Sequence, residues 1–318
     1  MTESSSMKAV RASCRIACAI FILHLLATSF KGDVFAAAFV EQPKVAVLDF
    51  GDTETGRRFA AKLTKLLMKD AAQLILDQAQ SRAAAFGNGY RGSLNMSLSE
   101  ARDLGAAIGC DFFIIGNAQT LRRSSSANPV YYQSTAAVFF VNAHNGKLLF
   151  SERLNAEAPT HEATEANLLN EINERFALKF PVAIRRALED EELRKRKSEE
   201  ALQTFFEDAP EDDSPAAKDF RPPQPFRRLR PRYTDEAARF EVEAVVDVSV
   251  EVDAEGEVAN VEIVRWAGFG LDESVVETIR QLHFRPATRA GRAVPVRVLL
   301  RYNFRRPSKD NATAHSPS

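Results

Sequence analysis

From Val294 to Phe304 the chain sets Val294, Val296, Val298, Leu300, Tyr302 and Phe304 at alternate positions, with Pro295, Arg297, Arg301 and Asn303 between them and Leu299 the one exception. Successive side chains of a strand point to opposite faces, so this period of two is the mark of a half-buried β-strand. Val242, Ala244, Val246, Val248, Val250 and Val252 repeat the pattern, alternating with Glu243, Asp247, Ser249 and Glu251. Asp253-Ala254-Glu255-Gly256 follows as a turn, because its glycine can take positive φ, and Val258 to Trp266 then reads as a second strand hairpinned to the first. Leu271, Val275, Val276, Ile279 and Leu282 recur at helical spacing, and Asp272 is expected to cap the start of that helix. The last quarter of the chain is therefore a ββαβ unit.

Residues around this unit extend the pattern. They are Pro231-Arg232-Tyr233 with Ala237 downstream, the run Val250 to Val258 through Gly256, Leu271-Asp272, His283-Phe284-Arg285-Pro286-Ala287, Gly291, Val294 and the closing Tyr302-Asn303-Phe304. In that order and spacing they resemble the C-terminal domain of the TonB family, periplasmic energy transducers that contact outer-membrane receptors, over residues 231–306. Two positions depart from the family pattern: Thr234 stands where a proline usually follows the tyrosine, and Ala244 where a glycine usually opens the first strand. The resemblance implies that the last strand pairs edge to edge with an extended segment of an outer-membrane receptor or transporter. The residues it implicates are Val294, Val296, Arg297, Val298, Leu300, Arg301, Tyr302 and Phe304. Inner-membrane motor proteins are implied as partners if the chain is anchored there, and a homodimer stays open.

The rest of the chain decides which other functions remain. Its 318 residues leave room for two ordinary domains at about 100–200 residues each. At 45% hydrophobic and 27% charged, both can carry a core. A net charge of −1, with no basic patch interleaved with aromatics, argues against a nucleic-acid partner. Cys14 and Cys18 lie in or beside an apolar N-terminal segment, leaving Cys110 alone and no disulfide framework in the body of the protein. His24, His144, His161, His283 and His315 stand apart with no partner at ligand spacing, so neither a metal nor another cofactor is expected. Asp49-Phe50-Gly51 has a kinase-like look, but without a glycine-rich phosphate loop or a His-Arg-Asp loop it reads as a strand end and a turn. No serine, histidine and acid stand in a nucleophile-elbow context, so the chain is not expected to be an enzyme.

Lys8, Arg11 and Arg15 precede an apolar run from Ile16 to Ala27, and Ala36-Ala37-Ala38 offers a small-residue cleavage site. That is the order of a secretory signal peptide over residues 1–38, and the run is shorter than the roughly 20 apolar residues of a spanning helix. An uncleaved N-terminal anchor in the inner membrane is the alternative, and both readings put the remaining chain in the periplasm.

Val45 to Leu48 reads as a strand, Gly56 to Ala72 as a helix, Leu74 to Leu76 as a second short strand and Asp77 as the cap of another helical stretch. A helix from Ser97 or Ser99 to Ile108 leads through Gly109 into the strand Phe112 to Gly116, and Arg122-Arg123 is expected in a turn. Val130 to Asn142 and Leu148 to Ala156 form a hairpin about Asn145-Gly146. A helix from Glu162 to Phe180 follows, which Pro181 should end or kink. The order βα(β)αβββα resembles the envelope-assembly domains of the curli-secretion CsgG type and the amino-terminal domain of TolB. Val45 to Phe50, Ala101 to Gly105, Asp111 to Gly116 and Asn142 to Leu148 carry that likeness.

Beyond Val182 the charge block Glu189 to Lys197 reads as a solvated helix face. Glu207 to Pro225, acidic and proline-bearing, lacks the apolar residues to bury a core and is expected to be an extended linker. The expected fold class is α+β. An N-terminal α/β sandwich-like domain over 43–181 joins, through a charged and Pro-bearing linker at 182–230, the small ββαβ domain at 231–306, followed by a tail at 307–318. Two functions fit: energy transduction to an outer-membrane transporter, or a structural role in the cell envelope without energy coupling.

Overall fold

The computed structural model describes residues 42–69, 73–126, 130–200, 206–211 and 214–306. The expected export segment and C-terminal tail lie outside the described residues, and the described residues from Pro43 to 306 belong to one compact unit.

A mixed five-stranded sheet of order β2-β1-β4-β5-β6 organises the N-terminal half. Its strands are β1 (Lys44–Val47), β2 (Leu74–Ile75), β4 (Phe112–Arg123), β5 (Tyr131–Asn142) and β6 (Leu148–Ala158). β1 runs parallel to β2 and β4, while β4, β5 and β6 form an antiparallel meander. The helices start where short polar side chains can take up free amides: Thr53 before α1 (Glu54–Leu67), Asp77 before α2 (Gln78–Gly87) and a Ser97–Glu100 capping box before α3 (Leu98–Ile108). One feature absent from the sequence reading is β3 (Met96–Ser97), two residues that join the other sheet of the molecule. β4 also runs on through Arg122 and Arg123, expected in a turn, because both pair with β5 opposite Tyr132 and Tyr131. There backbone pairing continues after the apolar alternation has stopped.

Both faces of this sheet are apolar. Val45, Val47, Phe112, Ile114, Val138 and Phe140 face α1 and the long helix α4 (His161–Glu200), whose Phe180 ring lies 4.6 Å from that of Phe140. Pro181 does not end α4. The apolar stripe of Leu168, Ile172, Phe176 and Phe180 continues past it in Ile184 and Ala187, so burial on both sides outweighs the backbone bond that proline removes. Ala46, Leu48, Phe113, Ile115, Phe139 and Val141 point the other way, towards α3 and the C-terminal half.

The second sheet is built on β10 (Ala244–Val252), β11 (Val258–Trp266) and β15 (Val296–Phe304), with α6 (Leu271–Ile279) across β10 and β11; β3 and β7 (Glu207–Asp208) flank it in the order β3-β11-β10-β15-β7. The expected ββαβ order is present. Asp272 is not the cap of α6, since Gly270 holds that position at φ 68. The Asp272 carboxylate instead turns back and accepts the Ala267 and Gly268 amides at 2.9 and 2.7 Å. It thereby fixes a turn in which Gly268, Phe269 and Gly270 all have positive φ.

Glu207 to Pro225 differs from the expected extended linker. It contributes β7 (Glu207–Asp208), parallel to the start of β15, then β8 (Phe220–Arg221) and β9 (Gln224–Pro225). β8 pairs with β13 (Thr288–Arg289), itself paired with β14 (Arg292–Ala293), and β9 pairs with β12 (Phe284–Arg285). Backbone pairing needs no large apolar side chains, and Arg289 meets Glu207 at 3.0 Å, so a polar segment can lie on the domain without adding to its core.

The two halves share one core. Phe139 of β5 stacks on Trp266 with centroids 5.8 Å apart and meets Phe269 at 5.6 Å. Trp266 donates its indole N–H to the Gly146 carbonyl at 3.0 Å. Arg153 of β6, buried with its guanidinium 3.8 Å over the Phe269 ring, is paired with Glu236 of the short helix α5 (Asp235–Arg239). That burial pushes the guanidinium down to about 10.

Candidate functional site

β15 has two unlike edges. On its inner side it pairs with β10 along its whole length, from Val296↔Val252 to Phe304↔Ala244. On its outer side β7 covers only Val296 and Arg297, and the Ala209 amide donates to the Arg297 carbonyl at 2.9 Å. From Val298 to Phe304 no strand among the described residues pairs with that outer side. A strand edge of this kind presents amide donors and carbonyl acceptors in the spacing a further strand requires.

The residues singled out in the sequence fall here, all but Val294 lying on β15. Val294 precedes the strand, its amide donating to the Ala287 carbonyl at 3.0 Å. Val296 and Phe304 are buried, and Phe304 lies beside Tyr233 with rings 6.3 Å apart. Because α6 covers β10 and β11 rather than β15, Val298, Leu300 and Tyr302 are only half-buried on the helix side. Leu299 stands 61% exposed on the opposite face between Arg297 and Arg301. An added strand would therefore find apolar contacts on both faces.

Charge frames the edge. Arg301 forms a two-point contact with Asp247 at 2.7 and 3.0 Å, and Arg297 binds Glu251 at 2.7 Å and Asp208 at 3.2 Å. Hydrogen bonding to Asp247 holds the Arg301 guanidinium above its ordinary range, and hydrogen bonding to Glu251 does the same for Arg297. Both cations are anchored over β10, so they discourage indiscriminate pairing while leaving the backbone of β15 open. Burial pushes the Tyr302 hydroxyl above its ordinary value, so it stays a neutral donor at the rim.

No local pattern signals how the far end of this sheet is closed. Asn95, just before β3, donates to the Val245 and Trp266 carbonyls at 2.8 and 2.7 Å and accepts the Val245 amide at 3.1 Å. Arg265 adds bonds to the Asn95 carbonyl and Glu100. Such a seal joins residues about 150 positions apart, which no local periodicity encodes.

Among the described residues no group of three metal-capable side chains comes together. His283 pairs with Glu257 and His144 with Asp111, whose other carboxylate oxygen accepts the Lys44 amide at 2.7 Å. Cys110 is buried just before β4, and burial pushes its thiol up to about 12, away from nucleophilic use. No helix among the described residues is long and apolar enough to cross a membrane.

Residues 230–305 match the family model described as the Gram-negative bacterial TonB protein C-terminal, and this segment is a TonB-type C-terminal domain. No curated protein matches the chain in sequence. Among solved structures, the hypothetical protein CT253 from Chlamydia trachomatis aligns over 42% of this chain and 95% of its own at 12% identity and a TM-score of 0.33. Lipoprotein GNA1162 from Neisseria meningitidis aligns over 42% and 98% at 14% identity and a TM-score of 0.32. The Pseudomonas aeruginosa TonB C-terminal domain aligns over 29% and 91% at 18% identity and a TM-score of 0.24.

Proposed function

We propose that this protein acts in the periplasm by binding extended segments of outer-membrane transporters along β15, as an energy-transduction partner of the TonB kind, and that its role is binding rather than catalysis. The observation that carries this is the outer edge from Val298 to Phe304, which no strand among the described residues pairs, in a domain of the TonB C-terminal type. Backbone bonds supply affinity in strand addition, and the half-buried Val298, Leu300 and Tyr302 supply side-chain pockets. The test is titration of the full chain with a peptide from the periplasmic N-terminal segment of a candidate transporter, followed by amide shifts. Shifts concentrated in Val298 to Phe304 support the reading. Binding with no shift there overturns the site, and no binding to any transporter segment overturns the function.

A structural envelope role without energy coupling is favoured by one observation, the core shared between the two halves through Phe139, Trp266 and Phe269. A domain docked on its neighbour is not a free tether. Fractionation of cells separates the readings, since energy transduction needs the full-length protein at the inner membrane.

A further inference from the structure

β3 occupies a lane between the two halves of the molecule. On one side Met96 and Ser97 pair with Trp266 and Arg265 of β11. On the other, the turn leading into β6 is packed so closely that a Cβ on Gly146 would come within 2.1 Å of the Leu98 carbonyl oxygen. The chain thus threads between β11 and the β5–β6 turn at the point where β3 gives way to α3. At Leu98 the chain enters α3 and leaves the lane, which opens into a cleft of about 610 Å³.

The two walls of that cleft are strand edges. Leu148 to Ser151 of β6 line one side and Asn260 to Ile263 of β11 the other, four consecutive residues in each case. Consecutive residues alternate between the faces of a sheet, so a cavity bordered by all four opens onto an edge and not onto a face. β6 is the terminal strand of its sheet, and β11 beyond Arg265 pairs only with β10 among the described residues. Lys147 bridges the lane to Glu262 at 2.8 Å. With side chains reaching ~6 and ~4 Å, that contact is compatible with the separation of about 9.5 Å that two strands keep when one strand lies between them. Gly146 meets Trp266 and Lys147 meets Glu262, so β6 leaves this point in the direction opposite to β11.

We propose that this cleft takes an extended segment of a partner polypeptide, which continues the lane of β3 and pairs with β6 and β11 at once, joining the two sheets. The guest runs parallel to one wall and antiparallel to the other. Val261, Ile263, Val276 and Phe150 call for apolar side chains at alternate positions. The charged lining is mixed, Glu273 and Glu277 against Arg194 and Arg280, so the backbone, not net charge, selects the guest. This site is separate from the outer edge of β15 and does not depend on it.

The experiment uses the full chain and a displayed library of random twelve-residue linear peptides, with hydrogen exchange on the complexes selected. The expected result is simultaneous protection of Leu148–Ser151 and Asn260–Ile263. Successive residues of a strand aim their amides at opposite edges. N-methylating the odd residues of a bound peptide, or only the even ones, should therefore each weaken binding about tenfold or more. Protection confined to Val298–Phe304, sensitivity to only one of the two methylation sets, or a library that yields no binder would each overturn the proposal. The first of those outcomes would leave the β15 reading intact.

Discussion

Phe139→Ala tests the shared core. Phe139 is fully buried, and the ring it removes is the surface on which Trp266 and Phe269 rest at 5.8 and 5.6 Å. A buried Phe→Ala change costs about 3–5 kcal/mol when the surroundings cannot collapse. Collapse is hindered here, because Phe269 is held in a positive-φ turn by Asp272 and its carbonyl accepts the Thr234 hydroxyl at 2.6 Å. With an m-value of about 3 kcal/mol/M, the urea midpoint should fall by roughly 1–1.7 M. Trp266 is the only tryptophan and is buried at this contact, so its fluorescence reports the joint directly. In the unaltered protein its transition should coincide with that of far-UV circular dichroism, because one core unfolds as one unit. The reasoning is refuted if the two transitions separate before any substitution, or if Phe139→Ala moves the midpoint by less than about 0.3 M.

Burial pushes the Asp272 carboxyl from 3.8 up to about 7, so the native state holds this proton more tightly than the unfolded chain. That contribution is complete below about pH 4 and is lost as pH rises towards 7, with an upper bound of about 4 kcal/mol. The N-terminus of α6 favours the ionised form and makes the slope shallower. Denaturation midpoints measured between pH 4 and 8 should flatten in Asp272→Asn, and an unchanged slope would remove Asp272 as its source. Pro181 is exposed within the interior of α4, so Pro181→Ala should stabilise the protein by about 1–3 kcal/mol in thermal or urea unfolding. A loss of stability there would mean that the helix depends on the proline.

Where the sequence was legible, the signal was local and repeated. The alternation from Val296 to Phe304 and from Ala244 to Val252 survives as β15 and β10, because each strand buries one face. Capping was legible at Ser97 and Asp77, where a short polar side chain precedes helix-forming residues. It misled at Asp272, since the same carboxylate can reach forward to its own helix or back to the preceding turn. Gly268 and Gly270 let the turn come to it, and only the fold reveals that. Polarity misled in the segment after Glu207. A stretch unable to form a core reads as an extended linker, yet β7, β8 and β9 attach it by backbone pairing, which leaves no mark in hydrophobicity.

The same limit explains why the strand pattern of β15 is legible in the sequence and the cleft beside β11 is not. An edge strand carries its evidence in its own residues: alternating apolar positions on one face and Arg297 and Arg301 on the other. A lane between two sheets belongs to neither strand alone. It exists because Phe139 and Trp266 draw the sheets together while Gly146 lets Leu98 pass between them, contacts that join residues far apart in sequence. Gly146 was legible as half of an Asn-Gly turn, for which glycine's freedom at φ 73 is reason enough. Its second constraint, the absence of a Cβ where the Leu98 backbone passes, separates the two roles. Gly146→Ala should disturb β3 pairing and Trp266 fluorescence as well as the hairpin, whereas a change affecting the hairpin alone would show that the lane is wider than one strand.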